Sequence, residues 1–203
     1  MPRTKEQFEE MRNATKEKIH SAAMKLFVRQ GYGSTNVQLI ADTAGISIGL
    51  LYRHYRTKDQ LFHELVTYAL EGLKRNIAAF ESGESPKQLM DQFVDEVYHD
   101  MMNGEELANL LILMNQSLLA SADKDDALHE EMLQVNARLL DVTAQLIRTG
   151  QQLGEFRAGD ARELAVLFYA AIQGLANLKV LLKEEFSMPS PSVFTSFLYK
   201  EGV

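Results

Sequence analysis

Tyr52, Arg53, His54 and Lys58 crowd into one short stretch and have the chemistry to grip DNA. An arginine can pair with a guanine edge through two parallel hydrogen bonds. Tyr52 and His54 can donate to phosphates, and Lys58 falls at the expected start of the following helix, where a phosphate is favoured. Thr35, with the first amides of the helix before, offers a second phosphate site of the same kind. Gln38 either closes a capping box with Thr35 or reaches a base or phosphate.

These groups need two short helices to position them. Val37, Ile40, Ala41 and Ala44 recur at i, i+3, i+4 and i+7, one stripe of a helix. Gly45 ends it, because glycine enters the left-handed region without a Cβ clash. Ser47 can cap a second helix, in which Leu51 and Tyr55 make a short apolar face. With those two inward, Ile48, Gly49, Tyr52 and Arg53 face outward. Two short helices across a tight glycine turn are the helix-turn-helix plan for the major groove.

The same residues resemble a known family. Gly31-Tyr32, Thr35, Val37, Ile40-Ala41, Ala44-Gly45-Ile46-Ser47, Gly49, Leu51-Tyr52, His54-Tyr55 and Lys58 are similar to the DNA-binding domain of TetR-type transcriptional regulators. The match is gapless over roughly residues 15–62, about a quarter of the chain. The resemblance implies a DNA-facing role for His54 and a phosphate contact for Lys58, and it implies dimers formed by the last two helices as a four-helix bundle. There are departures. Ile48, Leu50 and Leu39 stand where the family often has polar, basic or small residues. Ile48 and Leu50 either touch thymine methyl groups or pack inward, which narrows the reading surface.

Charge supports a DNA-binding end. The net charge is −7, but residues 1–60 hold 10 Lys and Arg against 6 Asp and Glu, a net of +4. Residues 61–203 hold 11 against 22, a net of −11. The positive end can neutralise phosphates, and the acidic body is repelled from the duplex. The chain has no Cys, so disulfides, thiolate metal sites and thiol nucleophiles are excluded. His20, His54, His63, His99 and His129 show no ligand spacing, so no metal and no cofactor are expected. Nucleophile elbow, phosphate loop and zinc-protease motifs are absent, which argues against an enzyme. Asp95, Glu96, His99 and Asp100 read as a solvated acidic face. The N-terminus lacks a signal-peptide core, and the longest strongly apolar run, Leu107 to Met114, is too short to span a bilayer. A soluble cytoplasmic protein with no membrane contact is expected.

Apolar residues recur at helical spacing throughout, so the fold is expected to be all-α with about nine helices. Residues 1–60 form the helix-turn-helix domain and 61–203 a helical ligand-binding and dimerisation domain. Residues 1–14 read as frayed, with the first helix over Thr15 to Gln30. Later starts are signalled by Thr57-x-x-Gln60, Ser85-Pro86, Asp123 to Asp126, Asp160-x-x-Glu163 and Ser190-Pro191. Gly150 and Gly154 are expected to end the seventh helix, and the eighth reaches about Glu185.

The body reads as a container. Its helices interleave apolar residues with Asn109, Asn115, Gln116, Asn136, Arg138, Thr143 and Gln173, the mix of a small-molecule pocket or of a self-satisfied core. Phe93, Leu113, Gln116, Asn136, Phe168 and Ile172 are the candidate ligand contacts. The eighth helix is apolar on more than one face, and Gly174 allows a second backbone close by. Tyr169, Gln173, Gly174, Phe194 and Phe197 are therefore the candidate dimer contacts. The composite expectation is a homodimeric regulator on a palindromic double-stranded operator, a repressor released by a small apolar or amphipathic effector. The rival is an architectural helix-turn-helix protein without a ligand.

Overall fold

The computed structural model describes residues 4–120 and 127–200. Among the described residues there are nine α-helices, and the only strand-like pairing is one antiparallel bridge between Phe156 and Tyr199. The fold is all-α. The chain divides into two compact units, Met1–Tyr68 and Ala69–Val203.

The first unit contains α1 (Lys5–Gln30), α2 (Val37–Ala44), α3 (Ile48–His54) and the start of α4 (Lys58–Phe80). Ile19, Ala23 and Phe27 of α1, Ile40 and Ala41 of α2, Leu51 and Tyr55 around α3, and Leu61 and Leu65 of α4 are buried. The stripes that make these helices amphipathic thus supply the core. Helix α1 begins ten residues before the expected Thr15. The reason is local. Thr4 accepts from the Gln7 amide and Gln7 reaches back to the Thr4 amide, a complete capping box. Residues 4–14 are all exposed, so capping holds this segment helical without core packing.

The second unit contains the rest of α4, α5 (Pro86–Asn103), α6 (Glu106–Ala120), α7 (Ala127–Gln152), α8 (Ala161–Leu182), a 3-10 turn (Lys183–Glu185) and α9 (Pro191–Phe194). The Ser85 cap on α5 and the Asp160 cap on α8 form as expected, Asp160 accepting from the Arg162 and Glu163 amides. The expected start of the seventh helix, Asp123 to Asp126, lies outside the described residues. Helix α8 stops at Leu182, where Lys183 turns into positive φ, and not at Glu185. The last helix is a single turn, after which Arg157 donates to the Leu198 carbonyl at 2.9 Å. Tyr199 then donates to Asp91 at 2.5 Å.

Gly150 does not end α7, which continues to Gln152. The chain turns back at Gly154 (φ +79°) and lays the Phe156 ring on the bare Gly150 backbone. A Cβ at Gly150 would sit 2.6 Å from Phe156 Cε2. The ring is 1% exposed and has nowhere to move.

One face of α8 packs inward through Ala165, Phe168, Ile172 and Ala176. The opposite face leaves Leu167 and Val166 each 50% exposed, Leu178 44% and Leu181 73%, with Ala170 and Gly174 also exposed between them. By length and composition Ala161–Glu185 is long and apolar enough to cross a membrane. Gln173 and Asn177 interrupt it, so its sequence shows no unbroken apolar run of that length.

Gly150→Ala is expected to destabilise the chain by up to about 2 kcal/mol. Overpacking costs about 1–3 kcal/mol and the gain in helix propensity returns only about 1. Urea denaturation checks this, and an unchanged or raised midpoint would show that Phe156 can yield.

Candidate nucleic-acid interface and effector cavity

In the first unit the left-handed Gly45 (φ +66°) turns the chain between α2 and α3, its amide donating to the Ala41 and Asp42 carbonyls. Ser47 caps α3 by accepting from the Leu50 amide at 3.2 Å. Leu51 and Tyr55 face inward, which leaves Ser47, Gly49, Tyr52 and Arg53 exposed on the outer side. Ile48 and Leu50 are half-buried, so each divides its surface between the core and the reading face.

Three of the expected DNA contacts have intramolecular roles. Thr35 is not the cap of α2. Asn36 is, its side chain accepting from the Leu39 amide at 2.8 Å. Thr35 is buried, and its hydroxyl donates to the Gly31 carbonyl. Gln38 is exposed and donates to Asp42 rather than closing a box with Thr35. Lys58 begins α4, but its ammonium donates to the Tyr32 and Thr35 carbonyls, both at 2.7 Å, and lies 4.2 Å from the centre of the Tyr32 ring. Arg56, exposed just after α3, is a cation that sequence reasoning passed over. Its place between Tyr55 and Lys58 in the same basic run was the available signal.

Tyr55 ties α3 into its surroundings. Its ring is 2% exposed, and its hydroxyl donates to Glu64 of α4 at 3.1 Å. His20 of α1 lies 2.7 Å from the same oxygen. Since the Tyr55 proton goes to Glu64, His20 donates through Nε2. Lys16 pairs with Glu64 at 2.5 Å. Burial lowers the His20 pKa, against the opposing pull of Glu64. Burial also lowers that of His54, helped by Arg12 and Lys16. For Glu64 burial opposes the charge, but Lys16 and Tyr55 outweigh it and hold the carboxyl below its usual range.

The second unit holds a cavity of about 400 Å³, lined by segments of α4 to α8. Small-molecule sites occupy about 300–1,000 Å³. Ala69, Gly72, Leu73 and Asn76 of α4 form one wall, and Leu107, Leu110, Leu111, Met114, Asn115 and Leu118 of α6 another. Of the expected ligand contacts, Phe93, Asn136 and Ile172 line it. Leu113 and Phe168 do not, being buried in the core, where Phe168 meets the Phe93 and Phe194 rings. Gln116 is exposed on the far side of α6, because one residue is about 100° of helix, and Asn115 takes the cavity position. The stripes over Leu107–Leu118 and Ala69–Asn76 were the missed signals.

Tyr169 and Gln173, expected at a dimer interface, line this cavity instead. Phe194 is 7% exposed within its own unit, which leaves no surface for a second copy. Phe197 is half-buried against the same core, and Gly174 stays open, with nothing within 4 Å of a built Cβ.

A helix-turn-helix with this exposed face, joined in one chain to a helical body with an internal cavity, defines a DNA-binding regulator. Residues 19–65 match the family model of bacterial regulatory proteins of the tetR family. The chain is 26% identical over 195 residues to the transcriptional regulator TtgR of Pseudomonas putida, covering 92% of this chain and 88% of that protein. It is 28% identical over 107 residues to the regulator YerO of Bacillus subtilis, where the match covers 51% of this chain but only 37% of that protein. A regulator from Saccharomonospora viridis, solved with choline, shares the fold with a TM-score of 0.64 at 21% identity, over 92% of this chain and 98% of that one. Residues 19–65 are thus a DNA-binding domain of the tetR type, and the chain is similar over most of its length to TetR-type transcriptional regulators.

A histidine whose pKa is lowered by folding makes the native state prefer the neutral ring. The unfolded chain then binds more protons below the ordinary imidazole value, so stability is full above about pH 6.5 and falls as pH drops toward the folded pKa. Urea midpoints measured from about pH 7.5 to about pH 5 are expected to decline, and His20→Gln, which keeps a donor for Tyr55, to flatten the decline. An identical slope in both proteins would remove His20 from the account.

Proposed function

We propose that the chain is a homodimeric repressor whose operator binding is relieved by a small molecule held in the body cavity. The observation that carries this reading is the cavity. A chain that only packaged DNA would have no need of an apolar chamber lined by a few polar groups. In the rival architectural reading the body would be solid core.

Arg53 and Tyr52 of α3 read the major groove, and Ser47, Gly49, His54 and Arg56 meet its edges and the phosphates. Thr35 and Lys58 act behind them, bracing the turn before α2. Removing the Arg53 guanidinium is expected to cost about 1–3 kcal/mol at a selected duplex, and Arg56→Ala to weaken all duplexes alike. Fluorescence anisotropy across a salt series checks both. Binding indifferent to salt, or unchanged when both arginines are removed, would sink the DNA-reading assignment.

The exposed stripe of α8 is the dimer surface. Leu167, Leu178 and Leu181 are too apolar to leave in water, and Ala170 with Gly174 lets a second α8 come close. Two-fold symmetry then asks for a palindromic operator, with half-sites about one helical turn or a multiple apart. A ligand that prefers the dimer arrangement poor at binding DNA shifts the population by its differential affinity and no more. Helix α4, which belongs to both units and lines the cavity, is the covalent route for that shift.

Leu178→Glu with Leu181→Glu is expected to weaken the dimer about 100-fold or more, and to abolish tight operator binding in parallel. Sedimentation velocity reads the first and anisotropy the second. A native chain that sediments as a monomer would overturn the dimer.

A further inference from the structure

We propose that the cavity selects uncharged ligands that carry a hydrogen-bond acceptor, and that Gln173 Nε2 is the donor that receives it. This rests on the reading of the cavity as the effector site and names the chemistry that site accepts.

Among the described residues no Lys, Arg, His, Asp or Glu lines the cavity. An ion moved into it would lose its hydration and meet no counter-charge, a cost that buried ions rarely survive unpaired. Among the described wall residues the one titratable group is Tyr169, whose pKa burial pushes up, so the phenol stays neutral. A cage for an organic cation needs several aromatic faces. Among the described wall residues only Phe93 and Tyr169 are aromatic.

The polar wall groups differ in what they have left to offer. Thr143 donates to the Leu139 carbonyl at 2.8 Å and therefore accepts from the Tyr169 hydroxyl, also at 2.8 Å, which uses the phenol's proton. Asn136 Nδ2 commits one of its two protons to the Met132 carbonyl at 2.8 Å. Asn115 is exposed and Asn76 half-buried. Gln173 Nε2 is buried and has no hydrogen-bond partner among the described residues. No protein group has to be displaced from this amide, so a ligand oxygen placed on it gains a hydrogen bond without breaking one within the chain.

Four naphthyl probes of similar shape test the proposal on the full-length chain. They are 2-ethylnaphthalene, 2-acetylnaphthalene, 2-naphthoate and 1-(2-naphthyl)ethylammonium, followed by their own fluorescence anisotropy, which no tryptophan of this chain obscures. The ketone is expected to bind about tenfold tighter than the hydrocarbon, and both ions about 100-fold weaker than the ketone. Gln173→Leu should bring the ketone to within about twofold of the hydrocarbon, whose retained affinity shows that the site is intact. Gln173→Met repeats the measurement with an unbranched side chain. A ketone no better than the hydrocarbon in the native chain, an advantage that survives both substitutions, or an ion bound as tightly as the ketone would each overturn the proposal while leaving the effector site standing. Failure of all four probes to bind, or undiminished binding when Asn136→Phe fills the cavity, would overturn the cavity reading itself, and this proposal with it.

Discussion

Tyr55 is a phenol forced into the core of a small unit, and its hydroxyl must find partners there. It finds Glu64 on α4 and His20 on α1. Leaving such a group unpaired costs about 1–3 kcal/mol, a large fraction of what a unit this size can spare. Because the two partners sit on different helices, the bond fixes the C-terminal end of α3 from two directions. Tyr52 and Arg53, the residues proposed to read DNA, lie less than one turn away on the same helix. Their aim therefore depends on a hydrogen bond that never touches DNA. Lys58 does the same at the other side, gathering the Tyr32 and Thr35 carbonyls where the chain leaves α1 and enters α2.

The second unit meets the opposite constraint. Its helices have more apolar surface than a single core can take. Some lines a chamber and some faces outward from α8, and Val166 shares in both, at once a wall residue and half-exposed. A solid core would have served stability better, since side chains that line a cavity forgo contacts with one another in proportion to its volume. The chamber is retained with an amide inside it that nothing in the described residues satisfies. Local stability there is lower than packing alone could provide, which suits the proposed effector site.

The helices were legible because their signals are local. Gly45, Ser47, Ser85-Pro86 and Asp160 act within a few residues of themselves, and each does in the structure what its chemistry implies. The inward pair Leu51 and Tyr55 followed from spacing alone. What failed to show was any role set by a distant partner. Gly150 looks like a helix stop until Phe156 is seen against it. Thr35 looks like a cap until the adjacent Asn36 outcompetes it, and Lys58 looks like a phosphate ligand until two carbonyls claim it. Cavity residues were half legible for a related reason. Periodicity names the apolar faces of α6 and α8 but does not say which face meets solid core. Phe168 and Leu113 were therefore exchanged for Leu110 and Tyr169, and Gln116 for its neighbour Asn115.

The tie between Tyr199 and Asp91 joins residues 108 apart and closes α5 against the chain's last turn. During synthesis this sets an order of events. The first unit has all of its residues once Tyr68 has emerged, whereas the second cannot make this bond, or the Phe156–Tyr199 bridge beside it, until Tyr199 follows. At about 5–20 residues per second the delay is on the order of ten seconds. For that interval a nascent chain can carry a closed reading head on an unfinished body. In the proposed dimer a head without its partner copy would grip DNA through half the contacts, so late closure of the body would also keep an incomplete regulator from holding an operator.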